Sequence, residues 1–540
     1  MYYATSIILT FAHAVRLPAF ILILVWVLTF DGLDSRAELM LRPGLNFTSA
    51  TLFADSNLVP PDPDGAVGPN HFVQFINGRF SVFDKHSGAM TKTMTDLAFW
   101  TNAGVALPEN ALVSDPRILY DPASGRWFAS QIDFISENEI SNRFLLAVSV
   151  TGDPTDLWKG MAWMADPAGT FADFPRLGLD ARGAYLTANQ FDSSGRFAGV
   201  LLTSIPKNDL LAAIPNVANR TCSGVMTMAS RGFSLQPAVN LGPAGGIEFV
   251  LAVENDGTDF ATHTILKSFN VAGADGPAAT LSPNTDITVP DYYIPFNPPQ
   301  PDTLTTLDAG DVRIGAYVFQ VGNVAYAVHA VQYGDRRSAV RWYRLRTSDH
   351  SLLESGTITD PDLDLFYPSI AANTDGFIII ACNGSSLSNF VSAYGFAGHT
   401  INGTTVFGDK VLLKAGVANY ERVVNGSNRW GDYSTTTVDP SNPNHFWTIE
   451  EFPSDTNVWS TQVTELIVSE TPPLLSISRA GLNIFLSWPT NDFGFAVQSS
   501  SSLASGTTWS PVTNPVTIAG SRNSVTISST DNARFFRLIR

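Results

Sequence analysis

Residues 60–78 read PPDPDGAVGPNHFVQFING, and residues 438–452 read VDPSNPNHFWTIEEF. Both carry Pro-Asn-His-Phe, as Pro69-Asn70-His71-Phe72 and Pro443-Asn444-His445-Phe446. In both, an aspartate lies upstream and an apolar run follows. Turn-forming residues between apolar runs read as hairpins. The same phrase at both ends of a long region marks the first and last units of a repeat.

Between these ends the pattern recurs. A Pro- or Asp-containing step leads into an apolar run at Asp62-Pro63-Asp64-Gly65, Asp115-Pro116-Arg117-Ile118 and Asp173-Phe174-Pro175-Arg176. It returns at Gln236-Pro237, Asp311-Val312-Arg313-Ile314, Phe366-Tyr367-Pro368 and Arg429-Trp430-Gly431-Asp432-Tyr433. A turn and an aromatic-bearing strand follow each step, as in YDPASGRWFASQI at 120–132 and NTDGFIIIACNG at 373–384. The steps are roughly 50 to 75 residues apart, a propeller-blade period with long loops. The expected fold is all-β: a seven-bladed β-propeller over residues 38–468, followed by a small β-sandwich. The last unit has too few residues for four strands, so residues 46–55 are expected to complete it. His71 and His445 then read as equivalent turn residues of adjacent blades, not as a metal pair.

Composition agrees with this reading. Of 540 residues only 15% are charged, with 41 glycines and 33 prolines, which suits short strands and many turns. A net charge of −17 argues against nucleic acid, whose binding needs clustered Lys and Arg. Residues 17–30, LPAFILILVWVLTF, follow Arg16 and precede Ser35-Arg36-Ala37. That is the layout of a signal peptide cleaved near Ala37, too short to span a bilayer comfortably. The expectation is a secreted or cell-surface monomer with no membrane span after cleavage. Cys222 and Cys382 form no disulfide framework and no zinc pattern.

The ordered motifs resemble a large group of uncharacterised secreted bacterial propeller proteins. The hallmarks here are Pro60 to Gln74, Asp115 to Asp121, Asp173 to Gly178, Val340 to Leu345 (VRWYRL) and Arg429 to Ser434 (RWGDYS). The resemblance covers residues 57–465 and implies a propeller fold and a secreted location. It implies no particular reaction.

Residues 469–473 read as a linker around Thr471-Pro472-Pro473, and residues 474–540 as the C-terminal sandwich. This module resembles C-terminal modules of secreted environmental bacterial proteins, with Ser487-Trp488-Pro489 and Phe535 to Leu538 as the matching strands. Residues 502–509 mimic a sialidase Asp-box but carry Ala504 in place of the aspartate, so they read as a chance hairpin.

The steps also gather the candidate site. In a propeller the inner-strand starts lie near one mouth of the axis. That face would collect Asp62, Asp64, Asp115, Asp173, Asp311 and Asp432 with Arg117, Arg176, Arg313 and Arg429, plus Tyr367 and Tyr433. Three uses of such a ring follow. It is a lattice of Arg–carboxylate pairs fixing the blades. Or it is a clamp for an extracellular ligand, with tyrosine-based hydrolysis as the enzymatic version. Or Asp62 and Asp64 ligate calcium, since two carboxylates two residues apart before a glycine suit oxygen ligation. No P-loop, Gly-x-Ser-x-Gly elbow, His-Glu-x-x-His or Rossmann pattern occurs. The expected activity is non-catalytic binding of an extracellular glycan, protein or cell-envelope ligand. A polysaccharide hydrolase or lyase and a purely structural surface protein are the alternatives.

Overall fold

The computed structural model describes residues 39–539, except 136–140, 244, 257–260, 425, 471–474, 490–494, 504–506, 520–521 and 529–533. The expected signal peptide lies outside the described residues. The chain is all-β and divides into a large unit to residue 471 and a C-terminal unit. No described helix is long and apolar enough to cross a membrane.

The large unit is a series of antiparallel meanders. Their first strands are Asp64–Val67, Leu112–Asp121, Phe171–Leu179, Phe233–Val239, Val318–Val321, Asp364–Ala372 and Thr435–Val438. Each pairs with the strand that follows it, and that strand with the next. We number the sheets 1 to 7 in this order. The first strands neighbour one another in sequence around a ring, and Thr435–Val438 returns to Asp64–Val67. Parallel bridges such as Leu179↔Val239 and Ala238↔Val318 join the first strands of sheets 3, 4 and 5. The arrangement is propeller-like.

Sheet 7 has three strands of its own, ending in Val458–Glu470. Its fourth is the N-terminal strand Leu39–Thr51, in register from Leu39↔Glu470 to Thr51↔Ser460. This strand starts well before the expected residues 46–55. Ser469 and Glu470 belong to the ladder and not to a linker, because the strand they pair with begins at Leu39. Sheets 1 and 7 are adjacent, and the repeated phrase explains itself there. His71 and His445 each open the second strand of their sheet. Phe72 packs beside Trp447, with ring centroids 5.7 Å apart.

Apolar side chains fill the spaces between neighbouring sheets. Phe75, Phe80, Trp127 and Leu145 fill sheets 1–2, and Val328, Trp342, Ile370 and Ile380 fill sheets 5–6. Burying such side chains contributes about 1.5–3 kcal/mol each. A buried ion pair recurs at equivalent turns. Lys85 Nζ lies 3.1 Å from Asp439, and Lys207 Nζ lies 2.7 Å from Asp121. In each case a lysine after the third strand of one sheet reaches the first hairpin of the sheet before it. Cys222 and Cys382 are both free thiols.

In the C-terminal unit, Ser476–Ala480, Asn483–Pro489, Arg522–Ser528 and Thr517–Ala519 form one antiparallel sheet. Ser510–Pro511, Ala496–Ser500 and Phe535–Ile539 form a second. Leu486, Trp488, Val497, Val525 and Ile527 share one small core.

Candidate functional site

The steps found in the sequence are backbone devices. Asp62, Asp115, Phe174, Ser234 and Tyr367 all have positive φ, between 45° and 59°. Pro63, Pro116, Pro175, Leu235 and Pro368 follow them. In sheets 2, 3, 4 and 6 the ladder register slips at this point, between Ser114/Arg117, Asp173/Arg176, Phe233/Gln236 and Phe366/Ser369. Each is a β-bulge, which re-aims the side chain that follows it. A proline fits there because the bulged residue donates no ladder bond.

The residue two beyond the strained one enters the interior of the ring. These residues are Asp64, Arg117, Arg176, Gln236 and Ser369, all 0 to 1% exposed. Asp64 accepts bonds from the Gly65 N–H, the Ile118 N–H, the Tyr317 hydroxyl (2.6 Å) and the Thr435 hydroxyl. Burial raises its carboxyl above the usual range, while Arg117, 3.8 Å away, pulls it down. Protein donors thus occupy both oxygens. Among the described residues no group of three or more His, Cys, Asp or Glu side chains is placed to hold a metal ion.

Arg117 lies over the Tyr433 ring, 3.2 Å from its centroid, and its Nε donates to the Pro175 carbonyl. Arg176 lies 4.7 Å from the Phe174 ring and donates to Gln236 Oε1 and the Gly315 carbonyl. These contacts stack two cations on aromatic faces inside the ring. The structure therefore places Arg117, Arg176 and Asp64 below the surface, not on the exposed face where the sequence reading puts them.

Above them lies a cavity of about 220 Å³. Asp308, Asp311, Arg313, Tyr367, Arg429 and Asp432 line it, with His329 and Tyr433. Arg313 Nε is 2.9 Å from both oxygens of Asp311, and Arg429 Nη2 is 2.8 Å from Asp432. Asp432 donates its N–H to Asp62 at 2.9 Å, and Asn77 donates to the other Asp62 oxygen at 2.8 Å. Asp115 accepts from the Phe174 N–H at 3.0 Å.

The acids crowd one another. Burial raises Asp62, and the charges of Asp432 and Asp115 raise it further. Asp115 is pushed up to about 7 by burial, with Asp173 and Asp432 adding to it. Asp173 is raised by burial and by Asp432. Burial likewise holds Tyr367 and Tyr433 well above the ordinary phenol range. The Tyr433 hydroxyl donates to the Pro116 carbonyl, whereas the Tyr367 hydroxyl is buried without a partner.

One equivalence fails. Asp311 and Arg313 do not start an inner strand, because that of sheet 5 begins at Val318. They belong to residues 293–317, where Pro295, Pro298, Pro299 and Pro301 supply no ladder donors. Bonds from Gln300 to the Tyr420 carbonyl and from the Asp308 N–H to the Asn428 carbonyl tie this segment to the one carrying Arg429. The sequence reading names Gln236 within a step but not as a site residue, and it omits Tyr317 and Asp308. The first occupies the same place after its step as Arg117 and Arg176, and that spacing could have found it. Tyr317 and Asp308 carry no such signal.

No protein-family model matches the chain, and neither does any curated protein. Among solved structures, a protein of unknown function from Dyadobacter fermentans aligns at 9% identity and a TM-score of 0.36, over 68% of this chain and 97% of that one. Drosophila Semaphorin 1b, extracellular domains 1-2, aligns at 8% and 0.37, over 79% and 88%. Hadza microbial sialidase Hz136 aligns at 10% and 0.36, over 76% and 65%. Likenesses of this size assign neither function nor ligand.

Proposed function

We propose that the meanders are the seven blades of a secreted β-propeller, that the C-terminal unit is a small β-sandwich, and that the axial cavity binds an extracellular ligand without catalysis. A glycan is the ligand we favour over a protein or a cell-envelope component, because the cavity is sized for one sugar residue. Cleavage near Ala37 would leave the closing strand at Leu39 intact.

One observation carries the non-catalytic reading: both arginines that line the cavity are already ion-paired, and the two below it, although Arg117 Nη1 and Nη2 and Arg176 Nη1 find no hydrogen-bond partner, are fully buried. Arg313 is held by Asp311, Arg429 by Asp432, Arg176 by Gln236 and Gly315, and Arg117 by Pro175. A carboxylate clamp needs guanidinium donors facing the ligand. A tyrosine nucleophile needs a phenol that ionises readily, and burial opposes that at Tyr367.

The test assays residues 38–540 against a panel of glycosides and polysaccharides, reading retention and released product together. Retention without product is expected, with retention lowered at least fivefold in Arg313→Ala. Product release that disappears in Arg313→Ala and Arg117→Ala would replace the binding reading with a hydrolytic one. Failure to retain any glycan would move the search to protein partners.

A further inference from the structure

We propose that the axial cavity is a site for a protonated amine, and that the ligand bound there is a glycan ending in an amino sugar with a free amino group. This rests on the binding reading above and names the ligand class.

The charge balance of the lining comes first. Asp308, Asp311 and Asp432 face two guanidiniums, Arg313 and Arg429. Arg313 is committed to Asp311, and Arg429 to Asp432. Asp308 has no ion-pair partner among the described residues. Its oxygens receive the Gly310 N–H and the Ser427 hydroxyl. Behind the lining, burial raises Asp62 and Asp115 toward their neutral forms, and Arg176 reaches the Gly315 carbonyl, so the negative surplus is the lining's own, at Asp308. His329 adds no positive charge to offset it. Its Nδ1 is held by the Val312 carbonyl at 2.7 Å, and burial lowers the imidazole to about 4. A cation entering the cavity is attracted, and an anion is repelled, more strongly than at an open surface.

The second observation is independent of the charges. Tyr367 is only 9% exposed, lines the cavity and has no partner for its hydroxyl. A buried hydroxyl without a partner is costly, and a ligand group that bonds to it recovers that cost. Gly310, at φ +73°, leaves space beside it, since a Cβ there would lie 3.4 Å from the Tyr367 oxygen. An ammonium supplies what this constellation lacks: N–H donors for the Asp308 carboxylate and the Tyr367 oxygen, with a charge that offsets the surplus. An N-acetylated sugar presents a neutral, bulkier amide, and an acidic sugar meets the aspartates.

The test is calorimetric titration of residues 38–540 with a β-1,4-linked glucosamine tetramer and with its N-acetylated counterpart. At least tenfold tighter binding of the free-amine tetramer is expected. Asp308→Asn should weaken it tenfold or more, and Tyr367→Phe about fivefold, each by more than it weakens binding of the N-acetylated tetramer. Tyr367→Phe keeps the ring and so serves if Asp308→Asn fails to fold. Equal binding of the two tetramers would overturn the amine assignment while leaving a glycan-binding cavity. The same holds if neither tetramer binds but another panel glycan does. Retention of no glycan at all would overturn both.

Discussion

At the residue scale, the axis shows how polar side chains are kept inside a ring of sheets. Arg117 and Asp64 sit together, fully buried, and each is bonded elsewhere, to a carbonyl and to hydroxyl and amide donors. Breaking such a pair by removing one partner costs about 3–5 kcal/mol, whereas the intact pair adds little. The acid ring above is different, because it holds charge under repulsion. Asp115, raised to about 7, binds a proton in the folded protein at pH values where the unfolded chain has lost it. A raised carboxyl contributes stability that is full below the unfolded value and is lost as pH rises through the folded one. The melting temperature should therefore be a few degrees higher at about pH 5.5 than at about pH 8. Asp115→Asn should reduce that difference, with Asp62, Glu248, Glu450 and Glu451, also raised by burial, supplying the rest; its amide oxygen still accepts from the Phe174 N–H. Scanning fluorimetry at the two pH values decides it: a variant that keeps the whole difference clears Asp115 of responsibility.

At the scale of the element, the bulge at the start of an inner strand is the unit of design. A strained residue, usually followed by proline, turns the side chain two positions on toward the axis. The proline presets φ and narrows the unfolded ensemble. Pro175→Ala should cost about 0.5–1 kcal/mol of unfolding free energy, read as a lower urea midpoint with unchanged slope. No change in midpoint would mean that the bulge is held by its neighbours alone. The device is also why the inner strands were legible in the sequence. Proline steps at 63, 116, 175 and 368 each mark one, and the all-β class follows from their spacing and the turn residues between them. The depth of each side chain was not legible. Which of two neighbours is buried depends on the bulge, and a one-residue slip exchanges them. Asp173 and Phe174 illustrate this, since the strained position belongs to Phe174. Asp311 and Arg313 mimic the step in a segment that never pairs, and only the folded chain reveals it.

For the whole molecule, the decisive contact joins the two ends of the large unit. The strand Leu39–Thr51 pairs with Val458–Glu470 along its length, with hydroxyl contacts from Ser49 to Thr461 and from Thr51 to Ser460. Asn46 adds a bond to the Leu413 carbonyl of sheet 6 and accepts from Thr464. Without the N-terminal strand, the 13-residue strand Val458–Glu470 becomes an open edge, a template for pairing with other chains. A chain beginning at residue 52 should therefore elute as larger species in size-exclusion chromatography and lose its sharp melting transition. A synthetic peptide of residues 39–51 should bind it by strand addition and restore part of both properties. A monomer with an unaltered melting temperature would show that the ring is held by inter-sheet packing alone. The closing strand would then be dispensable, and the long separation between the paired ends would carry no stability.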